Sequence, residues 1–117
     1  MFLTWMIGCA DPVTSKEVTE ISGVCVEEGN FVVTFSTCLS SSCDSVESAE
    51  CTTTVSGAVI EVSGSATIRS QGETCTSDCG YVTAECVVPD VDDPSATIVE
   101  FGGDQGGTLL SELGCAP

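Results

Sequence analysis

The 117-residue chain is predicted to be all-β, a small immunoglobulin-like β-sandwich of about seven short strands stapled by disulfides. Three observations carry that expectation. Short runs rich in Val, Ile, Thr and Phe recur between turn residues, with few Ala, Leu or Lys residues to favour helix. Within several runs apolar and polar residues alternate, the period of a half-buried strand. Nine cysteines and an aromatic content of only 5% then indicate a core too small to suffice by packing alone, supplemented by covalent links.

The elements follow in order. Residues 22–27 and 31–37 flank Glu28-Gly29-Asn30, a hairpin turn, and Phe31, Val33 and Phe35 share the inward face of the second run. Residues 49–55 place Cys51, Thr53 and Val55 on one face before Ser56-Gly57 turns the chain. Residues 58–62 and 65–70 read as two strands with Gly64 as a bulge or bend between them. Residues 80–88 carry Val82, Ala84, Cys86 and Val88 on one face, and Tyr81 is expected in the core or at its edge. After the turn-rich stretch 89–94, residues 95–101 and 108–113 surround a glycine-rich turn. The last run also fits a short helix through Leu109, Leu110 and Leu113. A small barrel is the alternative architecture.

Residues 21–117 therefore form one disulfide-rich sandwich domain, preceded by a polar tether over 9–20 and a short apolar segment over 1–8. Eight cysteines belong to the domain: Cys25, Cys38, Cys43, Cys51, Cys75, Cys79, Cys86 and Cys115. An even set allows four disulfides, each contributing ~2–4 kcal/mol by restricting the unfolded chain. Sequence alone leaves about a hundred pairings open. The strand pattern favours Cys51 with Cys86 across two sheets, cross-links between the loops 38–43 and 75–79, and Cys25 with Cys115. Zinc is the rival use of Cys75 and Cys79, but a structural site needs a second good pair or His, and the chain has no His. No Cys-x-x-Cys redox motif occurs.

Phe2 to Ile7 is mostly apolar and leads into Gly8-Cys9-Ala10, the outline of an export signal ending in a small residue. Met6-Ile7-Gly8-Cys9 resembles the lipobox of bacterial lipoproteins. That resemblance implies cleavage before Cys9, acylation of its thiol as the lipid anchor and, with Ala10 following, outer-membrane sorting. The signal is short and atypical, a mostly apolar run of six residues with no Lys or Arg before Cys9. Removing Cys9 from the nine makes the remaining count even. The cysteine and turn spacing Cys38…Cys43, Cys51, Cys75…Cys79-Gly80 and Cys86…Pro89 further resembles small cysteine-rich bacterial lipoproteins of unassigned function. It carries no catalytic residues over.

Lys16 and Arg69 face 18 acidic residues, for a formal net charge of −16. Such a chain lacks the cationic surface that nucleic acid requires. It also lacks a basic patch for an anionic membrane, so membrane attachment is expected through lipid alone. Nucleophilic catalysis has no His base, G-x-S-x-G is absent, and no spacing singles out a carboxylate pair. The glycine-rich stretch 102–107 lacks the Lys-Ser/Thr of a phosphate loop and reads as a turn. No enzyme activity and no cofactor are expected. Asp90, Asp92, Asp93 and Asp104 could supply oxygen ligands to calcium, although an acidic turn between strands accounts for them more simply. The expected role is a cell-envelope structural or interaction module meeting an unidentified protein or surface, with the loops 38–43 and 71–79 as contact surface. A calcium-dependent adhesion or ligand-binding domain is the alternative.

Overall fold

The structure is a computed structural model that describes residues 13–72, 74–102 and 107–116. Cys9, the apolar segment 1–8 and Asp104 lie outside them. The described chain is a two-sheet β-sandwich. One sheet contains β1 (Val13–Val18), β4 (Asp44–Ser56), β5 (Val59–Gln71), β7 (Ile98–Phe101) and β8 (Thr108–Leu109). The other contains β2 (Ile21–Glu27), β3 (Asn30–Phe35) and β6 (Thr83–Val87), in the order β2-β3-β6.

The β2–β3 hairpin closes through Glu28 and Gly29, at φ 50° and 81°. Left-handed geometry at both central residues matches the twist of the flanking strands, and Gly29 adopts it without steric cost. Phe31, Val33 and Phe35 of β3 are fully buried or nearly so, as their alternation requires. They face Ile60, Val62, Ala66 and Ile68 of β5, with Val82 and Ala84 beside them and Val99 and Leu110 completing the core.

β5 is the spine of the larger sheet. Along one edge it pairs with β4 over its whole length. Its other edge is divided: β7 runs parallel to Val59–Val62, and β1 runs antiparallel to Ala66–Gln71. Gly64 was expected to divide this segment into two strands, yet β5 runs through it without a break. The reason is steric. A Cβ on Gly64 would lie 2.5 Å from the Glu50 carbonyl oxygen and 3.1 Å from Phe35 Cζ. The glycine admits a close approach of neighbouring backbone and a core ring rather than ending the strand.

Three further expectations change. The tether expected over 9–20 is strand β1 from Val13 to Val18. Its side chains are exposed apart from half-buried Val18, so backbone pairing to β5 recruits it and no apolar pattern announces it. Tyr81 is not in the core but 80% exposed, because Val82 takes the inward position and alternation sends its neighbour outward. Residues 95–101 and 108–113 are each part strand and part 3-10 turn: Pro94–Ala96 precedes β7, and Leu110–Glu112 follows β8.

Four disulfides complete the fold, in the pairing that the strand pattern favoured. Cys51–Cys86 joins β4 to β6 and so links the two sheets, with a Cα–Cα distance of 5.7 Å. Cys25–Cys115 ties β2 to the C-terminal segment, which also adds hydrogen bonds from Val26 N to Leu113 O and from Cys115 N to Val26 O. Cys38–Cys79 and Cys43–Cys75 link two loops at one end of the β4–β5 ribbon. Disulfides of this density persist in oxidising, extracytoplasmic compartments. No described helix is long and apolar enough to cross a membrane.

Candidate functional site

The two linked loops form the most elaborated polar region. Segment 36–43 leaves β3 and segment 74–81 leads towards β6, and apart from Leu39, which packs against the core, their side chains are mostly polar or exposed. The loops pair with each other. Leu39 and Gly80 exchange backbone hydrogen bonds of 3.1 and 2.8 Å, forming an isolated antiparallel bridge next to the Cys38–Cys79 disulfide. Of the four cysteines, Cys38, Cys75 and Cys79 are exposed and Cys43 is half-buried.

Two carboxylates organise this clamp. Asp44 Oδ2 accepts from the Ser40 backbone N–H at 2.8 Å, closing the turn over 40–44, and its Oδ1 accepts from Ser70 Oγ at 2.6 Å. Asp78 acts between the loops: its Oδ1 accepts from the Ser41 N–H at 3.2 Å and from the Thr76 hydroxyl. Thr76 in turn shares its hydroxyl with Ser40 Oγ at 2.9 Å and donates its N–H to Ser42 Oγ at 2.9 Å. Charge-assisted donation of this kind favours the ionised carboxylate. The Thr76 hydroxyl first, then the Ser41 hydroxyl and N–H, hold Asp78 down at about 2. Ser70 and then Ser40 lower Asp44 as well, against a small opposing effect of desolvation.

Beside the clamp lies an open polar recess lined by Ser41, Ser42, Asp44, Ser45, Arg69 and Gln71. Its hydroxyls, amide and single guanidinium can hydrogen-bond a polar surface.

The acidic stretch expected as the alternative site sits at the opposite end of the β4–β5 ribbon. Asp90, Val91, Asp92 and Asp93 line a shallow cleft with the two-residue turn Gly57-Ala58. Asp93 is already occupied. Its Oδ1 accepts from the Ser95 N–H at 3.0 Å and from Ser95 Oγ at 2.6 Å, and its carbonyl accepts from Thr97 Oγ1 at 2.9 Å. It caps the 3-10 turn Pro94–Ala96. Among the described residues no three His, Cys, Asp or Glu side chains converge as metal ligands.

The cysteine pattern announced the loops, but nothing in the sequence announced the roles of Asp44 and Asp78. Asp78 lies between Cys75 and Cys79, where an acid reads as loop polarity, and its partner Ser41 is 37 positions away. Comparison with protein-family models, curated proteins and solved structures finds no match to this chain.

Proposed function

We propose that the chain is an exported cell-envelope lipoprotein, anchored through an acylated Cys9 in the outer membrane, whose sandwich serves as a structural or interaction module without catalysis. One observation supports this above others. The eight cysteines of the domain pair among themselves, so of nine cysteines Cys9 is the one outside those four pairs. It is also the cysteine that stands at the lipobox-like sequence. An oxidising compartment and a surface dominated by acids fit a module held at an envelope surface and kept from aggregating by self-repulsion.

Intact mass spectrometry of the protein from its native host, reduced and non-reduced, tests the reading. The expected result is a chain beginning at Cys9, carrying acyl groups, with four disulfides. An uncleaved chain, or an unmodified Cys9, overturns the anchor.

A further inference from the structure

β4 is an edge strand of unusual openness. It pairs only with β5, and its residues 45–56 make no other backbone hydrogen bond among the described residues. In an antiparallel pair every second residue of such a strand turns its N–H and C=O outward. Natural edges are ordinarily shortened, interrupted by Pro or lined with Lys. β4 has 13 residues with no Pro and no Lys, and is guarded only by one register shift between Val46 and Ser48 and by the acids Asp44, Glu47 and Glu50, which repel a second acidic edge and not a basic one. Beyond that shift Ala49 to Ser56 pairs without a break, and it is rich in β-favouring Thr.

The side chains on this strand say what would fit. Register with buried Ile68 and Ile60 places Val46 and Val55 on the inward face, yet they remain 43% and 49% exposed. β6 is only five residues long and reaches β4 at Cys51–Cys86, so the second sheet covers the middle of β4 and leaves both ends open. Glu50 stands on the strand and Glu61 faces Thr54 across the pairing to β5, while Glu47, at the register shift, accepts from Ser15 Oγ of β1 at 3.3 Å. With a net charge of −16, a second copy of this chain would bring like charges together, whereas a basic segment is attracted.

We infer that the free edge of β4 is a docking strand for an extended segment of a partner protein in which basic and apolar residues alternate. Its backbone continues the sheet, its Lys or Arg side chains meet Glu50 and Glu61, and its apolar side chains extend the core over Val46 and Val55. This deepens the reading of the domain as an interaction module, and it moves the contact surface from the clamp loops to the sheet edge.

The test uses the full chain with its disulfides intact, titrated with an eight-residue peptide of alternating Lys and Val and followed by amide hydrogen exchange. Alternate amides of β4 are expected to exchange about tenfold more slowly, equivalent to ~1.4 kcal/mol of added protection. A Glu-Val peptide should leave them unchanged. A Glu50→Lys, Glu61→Lys double variant with native circular dichroism should lose the protection. Association without β4 protection, protection of a different edge, or protection that survives the charge reversal each overturns the inference. No membrane or host factor enters this experiment, so its failure leaves the anchor reading standing, and an unmodified Cys9 leaves this one standing.

Discussion

The two ends of the β4–β5 ribbon are closed by opposite means. At one end β4 passes into β5 through the two residues Gly57 and Ala58, and the Ala58 carbonyl accepts the Ile98 N–H at 2.8 Å, so a tight turn and one backbone bond suffice. At the other end two loops meet that have almost nothing apolar to bury. They are held by two disulfides, a backbone bridge and the Asp78 carboxylate, while Asp44 fixes the turn of the first loop to Ser70 of β5. Where chain geometry brings strands together directly, hydrogen bonds complete the closure. Where the sequence supplies long polar loops, covalent links and charge-assisted bonds replace the missing hydrophobic term. Between the ends lies the packed core, and the distribution of stability among these three zones can be measured.

The largest effect is expected in the middle, at neither end. Phe35→Ala removes a ring buried to 1% exposure that also packs over Gly64. It should cost ~3–5 kcal/mol in denaturant unfolding. A cost below 1 kcal/mol would mean that the disulfides alone hold the fold.

Next comes the ranking of the disulfides. Cys38–Cys79 and Cys43–Cys75 are nested, so when one is present the other closes a ring of only about nine residues, worth ~2.5 kcal/mol by chain entropy. With the clamp intact, Cys51–Cys86 closes about 20 residues and Cys25–Cys115 about 50, worth ~3 and ~4 kcal/mol. Paired Cys→Ala variants should therefore destabilise in the order Cys25–Cys115, then Cys51–Cys86, then either clamp link. Mild reductant with alkylation should open the exposed clamp first. The reverse order would break the contrast between clamp and core.

A smaller, local effect is expected from acid. Asp78 has a pKa depressed in the folded chain, so its contribution is complete above about pH 4 and is lost as pH falls through about 2. NMR titration should show the Asp78 carboxyl and the Ser41 amide turning over together near that value. Asp78→Asn should release the Ser41 amide while amides of the core stay protected. The smallest effect belongs to the turn end, where millimolar calcium should leave Tm unchanged within about 1 °C. A concentration-dependent rise would revive a cation role for Asp90 and Asp92.

What the sequence disclosed follows from where side chains report on structure. β3 and β6 were legible because Phe31, Val33 and Phe35, and Val82 and Ala84, alternate against a buried face. Applied one residue further, the same alternation sends Tyr81 outward. β1 was illegible because a strand exposed on nearly every side chain has no pattern to read; it exists through the hydrogen-bonding edge of β5. Gly64 misled because the reason for a glycine, the nearby Glu50 carbonyl and Phe35 ring, lies on other strands. The clamp was half legible: cysteine spacing pointed to the loops, while the pairing of Asp78 with Ser41 is set by folding alone.

The position of the first disulfide has a mechanical consequence. Everything from Cys25 to Cys115 lies within a covalent loop, whereas β1 and the start of β2 lie outside it. Tension applied from the N-terminal side would peel β1 from β5 and draw out the dozen residues before Cys25, about 40 Å of extended chain. The covalent loop then arrests further extension. A domain held at a surface by its N-terminal side and gripped elsewhere would lengthen under load by a stroke that this released segment bounds. On release it could shorten again by re-pairing β1, with its folded body never opened.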